Sequence, residues 1–126
     1  MLKTVSFYGI CLANSELTLV GDVIGHPFQL RRIRCKFAAG VANEMRLRFI
    51  LSEDDDAPAI GQPSGVSVLL DYGQVDFVTG EDEVILMDHE VDVAIANSWL
   101  KVHADNRDFN DHAVNVQLTI DTLMRR

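Results

Sequence analysis

The chain has 126 residues, with 11 Lys or Arg against 19 Asp or Glu and a net charge of −8. A chain of that length has room for one domain rather than two, and a fold of this size buries roughly two thirds of its unfolded surface, enough for a core without metal or disulfide staples. Its acidity works against nucleic acid and anionic membranes as partners of the whole molecule, and no stretch approaches the roughly 20 apolar residues needed to span a bilayer.

The charge is unevenly spread. Residues 1 to 50 hold seven Lys or Arg against three Asp or Glu, whereas residues 51 to 126 hold four against sixteen. Thr4 to Leu12 reads as a strand with Val5, Phe7 and Cys11 inward, and Gly9 marks a bulge or a close backbone approach. The apolar run in residues 3 to 13 is too short and too interrupted by polar residues for a cleaved signal peptide. Asn14-Ser15 is a turn, Glu16 to Val20 a short strand, and Gly21-Asp22 and Gly25-His26-Pro27 punctuate the passage to the next strand.

Phe28 to Ala39 is a long strand whose inward parity slips between Leu30 and Ile33, as a bulge produces. Glu44 to Ser52 is the next, and the two lie either side by side or in facing sheets. Glu53 to Gly65, with four consecutive acids followed by prolines and glycines, reads as a solvated linker or interaction loop too polar to be buried. Val66 to Leu70, Gln74 to Thr79, Glu83 to Asp88, Glu90 to Ala96, Trp99 to Asp105 and His112 to Leu123 are further strands, separated by Asp, Asn and Gly turns. The two-residue alternation is clearest in Val114, Val116, Leu118 and Ile120. About eight or nine short strands at this spacing predict an all-β antiparallel sandwich, jelly-roll-like or immunoglobulin-like, formed by residues 1–126 as a single domain.

Four constellations bear on function. Arg32, Arg34 and Lys36, and likewise Arg46 and Arg48, alternate with inward apolar residues, so all five project from solvent faces and form one basic patch if their strands are neighbours. No aromatic residue interleaves with them as a base-stacking platform would, which disfavours nucleic acid. The alternatives are subunit contacts, for which arginine is suited, and pairing within the chain to Glu90, Asp92 or Asp121.

Asp105 to His112 offers oxygen ligands at alternating positions but lacks the glycine and glutamate of a calcium loop, so a turn whose Asp and Asn side chains bond their own backbone explains it better. Ser52 to Asp56 has the same status. His26, His89, His103 and His112 read as surface or turn residues, and Ser64 is not in a nucleophile elbow. Cys11 and Cys35 lack metal-ligand spacing and read as buried free thiols. No catalytic, metal or cofactor site is implied.

The last constellation is apolar. Ile50, Val78, Trp99 and either Ile85 or Met87 are expected to face away from the core, with Phe109 at a loop tip, and so many large outward groups suggest a contact with another subunit. Arg32, Arg34, Arg46 and Arg48 are therefore the candidate charged contacts, and Trp99 and Phe109 the candidate apolar anchors.

Trp99 to Asn106 together with Asp111 to Ile120, a closing strand pair, resembles that of small β-sandwich structural proteins of phages and archaeal viruses. The resemblance implies a non-enzymatic virion component, such as a capsid decoration protein, present in many copies and located on a virion or outside the cell. Its partners would be further copies of itself or a larger protein assembly. A carbohydrate-binding or adhesion module, assisted by calcium in the acidic loops, is the alternative on the same fold.

Overall fold

A computed structural model describes residues 2–69 and 76–122. Its eight strands are β1 (Leu2–Cys11), β2 (Ser15–Val20), β3 (Phe28–Phe37), β4 (Met45–Ser52), β5 (Val66–Ser67), β6 (Glu83–Val93), β7 (Trp99–Asn106) and β8 (His112–Asp121). They form two four-stranded antiparallel sheets, one ordered β1-β8-β3-β6 and the other β2-β7-β4-β5. Apart from the adjacent pair β4 and β5, successive strands thus pass back and forth between the sheets, which makes the sandwich a jelly roll.

Alternation explains the layering. Every second residue of β8, from His112 to Ile120, is buried, and the same period in β3 and β4 places Ile33, Cys35 and Phe37 opposite Met45, Leu47 and Phe49 in one core cluster. The bulge expected in β3 is present as a register shift between Leu30 and Arg32 against both neighbours. Gly9 proves to be a close approach and not a bulge: β1 pairs with β8 without interruption, and a Cβ at Gly9 would lie 3.2 Å from Leu17 and Leu19. Cys11 and Cys35 are both buried free thiols. Burial pushes the Cys35 thiol up to about 12 and raises that of Cys11 as well.

Two strand assignments change. The segments expected as separate strands around His89 are one continuous β6, because β3 pairs with it on both sides of that residue, at Glu83 to Asp88 and at Val91 to Val93, across a shift of register. The strand expected over Val66 to Leu70 shortens to Val66–Ser67. Residues 70–75, which include the start of the strand expected at Gln74, lie outside the described residues, while Val78 bridges Leu47 at the edge of β4.

The larger correction concerns the loop after β4. Most of its residues are exposed, as expected, but the 53–65 segment also folds back over the outer face of the β2-β7-β4-β5 sheet. In consequence β7 is buried on both faces from Leu100 to Ala104. Ile50 is only 3% exposed although it points away from the core. Gly65, at φ +125°, sits so close above it that a Cβ there would lie 2.7 Å from the Ile50 side chain.

Candidate functional site

Outward side chains of the roofed sheet form cross-strand rows fixed by register. Glu16 on β2, Asp105 on β7 and Arg46 on β4 make one row, and Thr18, His103 and Arg48 make the next. Val20, Lys101 and Ile50 form a third row beneath the loop.

Lys101 is fully buried there. Its ammonium donates to Asp54 Oδ1 at 3.1 Å, to Asp56 Oδ1 and to the Ser64 carbonyl at 3.4 Å, so all three of its protons find acceptors. Ser64 Oγ lies 2.5 and 2.6 Å from Asp54 Oδ1 and Asp56 Oδ1. Hydrogen bonds from Ser64 first, then from Asp56 and Lys101, hold the Asp54 carboxyl well below the usual carboxylate range. The acids of this loop therefore clamp the chain to its own sheet.

His103 is 1% exposed, which corrects its expected place on the surface. Its Nε2 lies 3.1 Å from Glu16 Oε1 and its Nδ1 3.2 Å from Thr18 Oγ1. Glu16 Oε1 also accepts the Gly61 backbone N–H at 3.1 Å, so the histidine, the glutamate and the loop are linked. Burial pushes the His103 ring below its ordinary pKa, and this outweighs the nearby Glu16 carboxylate. His112 is buried too, its Nε2 2.8 Å from Asp108 Oδ2; the side chain of His89 lies outside the described residues.

Between this row and the loop opens a cleft of about 900 Å³, lined by Glu16, Arg48, Gly61, His103, Asp105 and Arg107 among others. Both of its arginines are paired: Arg107 Nε lies 3.2 Å from Asp105 Oδ2 within the cleft, and Arg48 Nε 3.4 Å from Asp76 Oδ1 outside it. The chain supplies an aromatic partner for the arginines that the local sequence does not show, because Phe77 lies against both Arg46 (4.7 Å) and Arg48 (5.3 Å).

The expected single basic patch does not form. β3 and β4 belong to facing sheets, so Arg32 and Arg34 project from one side of the molecule and Arg46 and Arg48 from the other. Arg32 Nε donates to Asp88 at 2.7 Å and Arg34 Nη1 to Gln117 at 2.6 Å. Of the expected acidic partners Asp121 is used, by Arg31 at 3.1 Å. Trp99 faces outward but is half-buried, paired across from Ser52 on the roofed sheet. Phe109 is 87% exposed at the loop tip beyond the other end of β7. Ile85 and Met87 both pack on the core, and it is Val84 and Leu86 that face out.

The acidic turn after β7 is built as expected for a backbone-bonding turn. Asn106 Nδ2 donates to the carbonyls of Cys11, Leu12 and Asn110, and its Oδ1 accepts the Asp108 N–H. Asp108 is held low by His112 and by the Phe109 N–H. Among the described residues no group of three His, Cys, Asp or Glu is placed to hold a metal ion.

The open surface lies on the other sheet. Its outer face carries a column of Arg32, Arg34 and Lys36 on β3, with Asn115, Gln117 and Thr119 beside it on β8. Exposed apolar side chains flank it on the two edge strands: Leu2, Tyr8 and Ile10 on β1, Val84 and Leu86 on β6.

No family model and no curated protein matches the chain. Among solved structures it is similar to a mitogen derived from Yersinia pseudotuberculosis, at TM-score 0.44 and 11% identity over 100% of this chain and 91% of that one. It is also similar to the VP2 subviral particle of infectious bursal disease virus, at TM-score 0.48 and 8% identity over 97% of this chain, spanning 33% of the viral chain. A third likeness is to the disulfide-linked pili of Bacillus endospore appendages, at TM-score 0.44 and 12% identity over 98% of this chain and 88% of that one.

Proposed function

We propose that this protein is a non-enzymatic structural module that self-associates or docks on a larger particle through the outer face and edges of the β1-β8-β3-β6 sheet. The observation that carries this reading is the asymmetry of the sandwich. The chain covers one outer face with its own loop, yet leaves on the other sheet five large exposed apolar residues, all on its two edge strands. Apolar groups flanking an arginine column are the composition of an interface, and they replace Trp99, Arg46 and Arg48 as the proposed contacts. The setting implied by the resemblance is a virion surface or another extracellular particle.

Light scattering over rising concentration, with pull-down from the source, tests the reading. Association is expected, and replacing Arg32 and Arg34 by Glu is expected to weaken it most at low salt, since exposed charges are screened within about 8 Å at physiological ionic strength. A strict monomer that retrieves no partner overturns it. The charged cleft favours a second reading, a polar saccharide held by Glu16, Asp105 and Arg107. A glycan array with the Asp105→Asn variant as control tests that reading, and no signal removes it.

A further inference from the structure

The four sheet edges differ in how they are protected. A free edge presents unpaired N–H and C=O groups, and proteins normally blunt it with charge, proline, a bulge or short length. β2 has six residues and β5 two. β6 has eleven, but it carries Glu83, Asp88, Glu90 and Asp92, and its pairing with β3 shifts register midway. β1 has the fewest of these devices: one lysine near its start, and no acid, proline or register shift. Its ten residues pair with β8 on one side in unbroken register, its other side hydrogen-bonds to no strand among the described residues, with the 20–26 segment beside Lys3 to Ser6, and Lys3 is its sole charge.

We propose that this edge of β1 pairs antiparallel with β1 of a second copy, joining two sheets into one of eight strands in the order β6-β3-β8-β1-β1-β8-β3-β6. The inference rests on the assembly reading above and names its surface and partner. Charge selects the second copy of β1 as the occupant. At −8, two copies repel each other over most of their surfaces, and contact through β6 sets four acids against the acidic partner. β1 is a long edge with no acid, and pairing it with itself opposes no like charges near its centre. The count of bonds also suffices: two ten-residue strands in antiparallel register make about ten N–H···O=C bonds, the number a protein interface of standard size carries. Outward-facing Tyr8 (68% exposed) and Ile10 (47%) then gain cross-strand neighbours from the partner's Thr4 and Ser6 side of the strand. Because the contact is isologous, it closes at two copies.

Light scattering and hydrogen exchange on the whole chain, each at low and high concentration, test this. The expected result is a mass of two copies at high concentration, with β1 amides slowed at least about tenfold and β6 amides unchanged. The double variant Ser6→Lys, Tyr8→Lys changes only side chains that point to solvent, and it sets like charges opposite one another in any register centred on residues 6–8. It is expected to be monomeric with the circular dichroism and melting midpoint of the parent. A monomeric parent at every concentration overturns the inference. So does a species larger than two copies, or protection confined to β6. If the parent associates but the variant associates equally, β1 pairing fails while the assembly reading stands.

Discussion

Lys101 shows what a single residue decides. An ammonium taken out of water is tolerable only if fully bonded, and here Asp54, Asp56 and the Ser64 carbonyl do that. Asp56→Asn leaves Lys101 with one carboxylate and is expected to cost about 1–3 kcal/mol in urea unfolding, with faster proteolysis of the 53–65 segment. Lys101→Met is expected to cost less, because its stem still fills the space between Val20 and Ile50 while the freed carboxylates, about half exposed, are rehydrated. The reverse order would mean that the loop is not held by this lysine.

His103 makes a pH-dependent contribution whose sign is set by burial. Packed among Glu16, Thr18, Asp105 and Arg48, its folded pKa lies below the ordinary 6.5, so the unfolded chain takes up the proton first. Stability from this group is complete above pH 6.5 and falls as pH drops below it. Urea midpoints between about pH 7.5 and 5.5 should decline in the parent and flatten in His103→Gln. The lowered carboxyls of Asp54, Asp108 and Glu81 work in a separate window, losing their contribution only as pH falls through and below the usual carboxylate range. Parity in the sequence places Lys101 and His103 on the outward face correctly. It cannot show their burial, because the segment that covers Lys101 lies 45 residues away.

At the level of elements, hydrophobic alternation makes β3, β4, β7 and β8 and the bulge in β3 legible, since a half-buried strand has no other pattern available. Sheet membership is not legible. Parity says whether a side chain points in or out, but "in" is the same core seen from either sheet, so the arginines of β3 and β4 look alike in sequence and end on opposite sides of the molecule. Two glycines test how tightly the elements are fitted. A Cβ at Gly80 would lie 2.5 Å from the buried Phe37 ring, so Gly80→Ala should overpack the core and cost about 1–3 kcal/mol. Gly61, at φ +89° with open space around it, should cost only the backbone strain, about 1 kcal/mol. Thermal or urea denaturation compares the two, and equal costs would contradict close packing at Gly80.

For the whole molecule, the acidic segments that look like ion sites in sequence turn inward on their own chain. Asp54 and Asp56 face an ammonium, while Asn106 and Asp108 face backbone and His112. A melt with and without a calcium chelator should therefore coincide, and a shift of several degrees with added calcium would show that these side chains can be recruited elsewhere. Sequence parity identifies Ile50 and Trp99 as large outward residues without revealing that Ile50 is buried and Trp99 half-buried on the roofed face. Only the assembled fold separates the closed side from the open one.

The buried lysine also decides what the sheet would show to solvent without its roof. Without the acidic loop over it, the outer face of β7 would present an ammonium between Val20 and Ile50, where an apolar residue would leave an oily stripe. A charge at that position is the kind of side chain that keeps an uncovered strand face from sticking to its neighbours whenever the loop is lifted.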